Sequence, residues 1–152
     1  MALEFSTIGV KVLCKTETSA GTRPTSGYTE IPDIKQVPAI AMNVNQIDVS
    51  NLVDEYKRYI PGQKDVGQDF TLTGNLTTAL KNAWASVVAA AASGWSSGKL
   101  TWFEIKVPDF ASFYLAGVPT EMGLSDMAVD SVIETTLHIT PNKIHGWDNS
   151  ST

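Results

Sequence analysis

FTLTGNLTTALKNAWASVVAAAA, running from Phe70 to Ala92, changes its period part-way along. In the first part Phe70, Leu72 and Leu76 point one way while Thr71, Thr73 and Asn75 point the other, the alternation of a strand with one buried face. From about Ala79 to Ala92 the spacing lengthens. Leu80, Trp84, Val87, Val88 and Ala91 fall on one stripe of a helix. Thr77 or Thr78 is placed to cap its first turn, and Gly94 is the natural stop. A strand running directly into a helix, within a chain otherwise patterned for strands, predicts a strand-rich α+β domain.

Working outward, the period-2 pattern recurs on both sides. Ile8, Val10, Val12 and Cys14 alternate with Gly9, Lys11, Leu13 and Lys15, and the run ends in the turn-forming stretch Ser19 to Gly27. Ile40, Met42 and Val44 begin another strand, through about Val49. Beyond the helix, Leu100 to Val107 reads as a strand broken by Pro108-Asp109, with Ala111 to Ala116 as its return. Gly117, Pro119 and Gly123 mark a longer connection. Ser131 to Thr140 is a β-branched strand with Ile133, Thr135, Leu137 and Ile139 on one side and Glu134, Thr136 and His138 on the other. The expected organisation is one domain over 1–147 with a short polar tail at 148–152.

Two regions depart from ordinary patterning. The exposed side of the helix offers Lys81, Asn82 and Ser86 among alanines, too few charges for a lone surface helix, which points to packing on both sides. Residues 51–67, NLVDEYKRYIPGQKDVG, fit no single period but carry Tyr56, Tyr59 and Ile60 among charges. A stretch of this length is functional or disordered, and its aromatic and β-branched content argues against disorder. It reads as a projecting loop or hairpin arm that becomes ordered on a partner. Asp54, Tyr56, Lys57, Arg58, Tyr59, Ile60 and Lys64 are its candidate contact residues, Tyr and Arg being enriched at interface hot spots.

The bulk numbers narrow the function. The 152 residues are 43% hydrophobic and only 18% charged, with a net charge of -5. An acidic chain has no electrostatic grip on nucleic acid or an anionic membrane. A single cysteine, Cys14, excludes an internal disulfide framework. The opening MALEFSTIGVKVL does not read as a secretory signal, so a soluble protein made in a reducing cytosol is expected.

Sites of chemistry are sparse. His138, His145 and Cys14 lack the paired spacing of metal ligands. Gly62 to Gly67 imitates half of a phosphate loop, but Gln68-Asp69 stands where Lys-Ser/Thr is required. Ser125 lacks the second glycine of a nucleophile elbow, and Asp126 with Asp130 is a common pairing on solvated loops. No enzyme activity, cofactor or metal is expected.

Taken together, MALEFSTIGVKVL, AGTRPTSGYTEIPDIK, KRYIPGQKDVG and LSDMAVDSVIETTLHITPNKIHGW resemble the major tail tube proteins of siphovirus-type phages, over Met1 to about Trp147. The resemblance implies two packed antiparallel β-sheets flanked by one helix. It further implies six-membered rings stacked into a hollow tube in the virion tail, with long loops such as 51–67 reaching between rings. The implied partners are other copies of the chain, a tape-measure protein, and terminator and baseplate proteins, with DNA only in transit through the lumen. Six copies at -5 each would give roughly thirty negative charges per ring. Thr71, Thr73, Asn75, Glu134, Thr136 and His138 are the lumen-facing candidates, although the same alternation suits ordinary solvent-facing positions. A monomeric phage-associated β-sandwich binding or decoration module is the alternative.

Overall fold

The computed structural model describes residues 4–41, 43–65 and 70–151. Among them the chain forms nine strands and one helix. These are β1 (Lys11–Thr16), β2 (Thr29–Ile31), β3 (Ile34–Gln36), β4 (Asn43–Asp48), β5 (Tyr59–Asp65), β6 (Phe70–Asn75), α1 (Thr78–Trp95), β7 (Thr101–Lys106), β8 (Ser112–Pro119) and β9 (Glu134–Asp148). Seven of the strands make one antiparallel sheet in the order β2-β1-β7-β8-β9-β6-β3, and β4 pairs with β5 in a separate ribbon. This is the strand-rich α+β class expected from the sequence.

The sheet curls until it nearly closes, and two features of the chain cause it. Its end strands β2 and β3 are joined by Pro32-Asp33 alone, and Asp33 takes a positive φ of 59° to make the corner. Strand β9 is long enough to serve two neighbours: Glu134 to Ile139 pair with β6, and Ile139 to Asp148 pair with β8. Register shifts opposite Tyr114/Leu115 and Ala116/Gly117 insert extra residues into β9. Such bulges bend a strand and increase its twist. At the second shift the backbones crowd, and a Cβ on Gly117 would lie 2.5 Å from Ile139 Cγ2.

Inward residues of the curl form one core. Val12, Cys14, Ile31, Phe70, Leu72, Phe103, Ile105, Leu115, Leu137 and Ile139 pack with Leu80, Trp84 and Val87 of α1. Each large side chain so buried contributes about 1.5–3 kcal/mol of transfer free energy. The helix is held at its start by Thr77, whose hydroxyl accepts from Leu80 N–H and donates to Asp33. In its middle the Trp84 indole donates to the Thr120 carbonyl at 2.7 Å.

Several boundaries differ from the sequence reading. Ile8 is 84% exposed and precedes the first strand, because Gly9 turns the chain with φ 84°. Leu76 is exposed, and Gly74 takes the third inward place in β6, since Leu80 and the Asp33 carbonyl leave no room there for a Cβ. Gly94 is no stop: the helix runs on to Trp95, and Gly94 lets it close on Thr16, whose Cγ2 would be 2.7 Å from an added Cβ. Ile133 lies outside β9 and is exposed. Met42, in the expected 40–49 strand, Val66 and Gly67 of the 51–67 segment, and Gln68-Asp69 lie outside the described residues.

Candidate assembly surfaces

The described part of the 51–67 segment, residues 51–65, forms most of the tip and the whole second strand of a hairpin that begins earlier in the chain. Strand β4 pairs with β5 from Asn43↔Asp65 to Asp48↔Tyr59, with one extra residue on β5 between Pro61 and Lys64. Pro61 is tolerated because a two-stranded ribbon has an unpaired edge on each strand. Nearly every residue of both strands is exposed. A two-stranded ribbon without a packed face is marginal in water, which makes this arm a candidate contact surface.

Its tip, residues 49–58, is ordered by local bonds. Asn51 N–H donates to Asp54 Oδ2 at 2.9 Å, Arg58 Nε reaches the same oxygen at 3.0 Å, and Arg58 N–H donates to Ser50 Oγ. Asp54 and Arg58 are therefore committed within the arm. Tyr56, Lys57, Tyr59, Ile60 and Lys64 face outward. Sequence reasoning missed the two most exposed apolar residues of the arm, Leu52 at 107% and Val53 at 90%. Periodicity could not find them, but an Leu-Val pair inside an Asn51–Asp54 turn is itself unusual for a solvated loop.

The six residues assigned to a channel wall come together. Register places Thr71 opposite His138, Thr73 opposite Thr136 and Asn75 opposite Glu134, on the outer face of the β6/β9 pair. Thr71 Oγ1 is 3.2 Å from His138 Nδ1. Glu134 forms an ion pair with Lys35 of the neighbouring β3. The patch is small, polar and almost neutral. Beside it, residues 120–125 run along the other edge of β9, with backbone bonds from Thr120 to His138, Gly123 to Thr136 and Ser125 to Glu134.

A third feature was invisible in the sequence. On the outer face of β1, β7 and β8 two carboxylates are sealed from solvent, Glu17 and Glu104. Burial pushes the Glu104 carboxyl up, but bonds from Ser112, from the hydroxyl and N–H of Ser151, and from Tyr114 outweigh it, and its pKa is lowered. Burial opposes ionisation of Glu17 as well. There the Leu100 N–H, the Trp102 indole, the Gly21 N–H and nearby Lys143 lower the pKa overall. Arg23 lies 4.1 Å over the Tyr114 ring and pairs with Asp148 at 2.6 Å, closing the 17–28 loop and residues 148–151 over this face. Both carboxylates are saturated with donors, so the network fastens covering segments and does not present a reactive group.

Cys14 is buried in the core, and burial pushes its thiol up to about 12, which removes thiolate character. Among the described residues no three of His, Cys, Asp and Glu are grouped to hold a metal ion. No helix among them is long and apolar enough to cross a membrane.

The fold recurs in tail and injection assemblies. It is similar to a chain of the six-fold symmetrised baseplate of the anti-feeding prophage (TM-score 0.64, 10% identity, covering 96% of this chain and 97% of that one). It is similar to a chain of the C6-symmetric tail of an empty gene transfer agent particle (TM-score 0.58, 12% identity, 94% and 98% covered). A chain of the extended PVC sheath–tube complex, an extracellular contractile injection system, also matches (TM-score 0.55, 10% identity, 93% and 91% covered). No protein-family model and no curated protein matches the sequence.

Proposed function

We propose that this chain is a structural, non-enzymatic subunit of a phage-type tail, and specifically a tube subunit that closes into six-membered rings stacked around a channel. The observation that carries the reading is the arm 43–65, exposed on both faces and projecting from a curled sheet. The shared fold with chains of a six-fold baseplate and a C6-symmetric tail, and with a chain of a sheath–tube complex, supports it. The arm bridges successive rings, with Tyr56, Lys57, Tyr59, Ile60 and Lys64 in contact and Asp54 and Arg58 shaping its tip. The β6/β9 outer face lines the lumen, where its small neutral residues let DNA pass without adhering. A tape-measure protein fills the lumen during assembly in the host cytoplasm, and terminator and baseplate proteins close the ends of the tube in the virion.

A second reading, a ring that joins tube to baseplate, draws on the likeness to the prophage baseplate chain. Negative-stain electron microscopy across a concentration series separates the two. Hollow tubes of indefinite length support the tube subunit, whereas single or paired rings favour the adaptor. Isolated monomers, alone and on co-expression with a tape-measure protein, would overturn both.

A further inference from the structure

Along the outer side of α1 runs a groove of roughly 450 Å³, walled by Ala85, Val88, Ala89 and Ala92. Lys81 stands at the start of this stripe, and Glu121 on the facing wall. Both are exposed, and neither has an ion-pair partner among the described residues. An apolar trough with one free cation and one free anion at its rim describes its own occupant: a small apolar knob flanked by an acid and a base.

The arm tip has that chemistry. Leu52 and Val53 stand in solvent, which also shows that they are not seated in their own chain's groove. Glu55 and Lys57, next to them, are exposed and likewise unpaired among the described residues, since Asp54 and Arg58 satisfy each other. The trough on the other side of α1, lined by Cys14, Lys15 and Ala90 among others, fits less well. It offers a single cation, Lys15, already donating to the Ser26 carbonyl, and no acid.

We propose that the arm tip of one copy docks into the α1 groove of a second copy, with Leu52 and Val53 between the alanines, Glu55 on Lys81 and Lys57 on Glu121. The inference rests on the tube reading and names the receiving surface that stacking requires. The two sides of the contact are different surfaces, so it is head-to-tail, and between stacked rings it leaves a free tip or a free groove at each end for the next ring.

The test uses two surface variants of the full chain, L52D/V53D and A89R, purified separately with their thermal unfolding matched to wild type. Each alone should associate about tenfold or more weakly than wild type by sedimentation velocity. Mixed, they should pair, because each retains the surface the other has lost. A photo-cross-linker at position 53 should label residues 81–92 of another copy. Assembly of A89R at wild-type strength, no pairing in the mixture, or cross-links elsewhere would overturn the docking and leave the tube reading standing. Wild type that stays monomeric and gives no cross-links, alone and on co-expression with a tape-measure protein, would take both down.

Discussion

Ile31 and Ile34 are three positions apart in the chain, yet they stand on the two opposite end strands of the seven-stranded sheet. Only Pro32 and Asp33 lie between them. The sheet is therefore closed covalently at the place where hydrogen bonds leave it open. Asp33 holds the corner in three ways: its backbone sits at φ 59°, its carbonyl accepts from Asn75 N–H at 3.0 Å, and its side chain accepts from Thr77 at 2.6 Å. The same residue thus fixes the sheet's closure and the start of α1.

Substitutions at Asp33 should rank by how many of these functions they keep. Asn tolerates the left-handed backbone and can still accept from Thr77, so D33N should be nearly neutral. D33A loses the side-chain bond and adds backbone strain, and should cost about 1–3 kcal/mol in urea unfolding. D33V, β-branched at a positive φ, should be the worst. Equal stability across the three would show that the corner does not hold the fold.

The main layout was legible because it depends on local period. The inward Phe70 and Leu72, the α1 stripe and the Leu137–Ile139 alternation can be read from spacing alone. Strands β2 and β3 were not legible, since three residues are too few to show a period and their partners are far away in sequence. Gly94 looked like a helix stop because glycine usually is one. Its true reason, contact with Thr16, is tertiary. The lumen candidates came out as a set because cross-strand register preserves alternation. The Glu17 and Glu104 networks could not be foreseen, as the donors to Glu17 come from residues 21, 100 and 102 and those to Glu104 from residues 112, 114 and 151.

Gly117 marks the second bulge of β9, where Ile139 Cγ2 and the Thr140 carbonyl would lie 2.5 Å and 2.8 Å from a new Cβ. Backbone atoms cannot swing aside as a flexible side chain can. G117A should destabilise by about 1–3 kcal/mol, measured by chemical denaturation. A neutral result would mean that β9 can relax its bend.

The lowered pKa values of Glu17 and Glu104 carry a sign. A carboxylate held below its unfolded value of about 4.3 stabilises the fold above that pH. The contribution is lost as pH falls through the folded values. The urea midpoint should thus hold steady down to about pH 5 and drop below about pH 4. E104Q should be less stable at neutral pH and show a shallower acid slope. An unchanged slope in E104Q would remove Glu104 from the acid response.

Replacing the tip, residues 49–58, by Asn-Gly retains β4 and β5 and supplies a two-residue hairpin turn. No residue of the tip belongs to the buried core, so the melting temperature should change little. Tube formation should be abolished. Tubes assembled from this variant would show that ring stacking uses another surface.

The channel-wall assignment makes a claim about charge. In the ground state Glu134 is partly neutralised by Lys35, and Asn75 opposite it is uncharged. E134K places two lysines side by side, and adding N75K leaves a third cation on the same face. With six copies per ring, as the tube reading holds, this double variant would line every ring with positive charge that binds phosphates in transit. The fold should survive, because the three side chains lie on the outer face of β3, β6 and β9 and none belongs to the core. Tails should still assemble, while DNA release, followed by dye uptake after triggered ejection, should slow or stall and recover as salt is raised. Wild-type ejection from fully assembled double-variant tails would place this face on the outside of the tube.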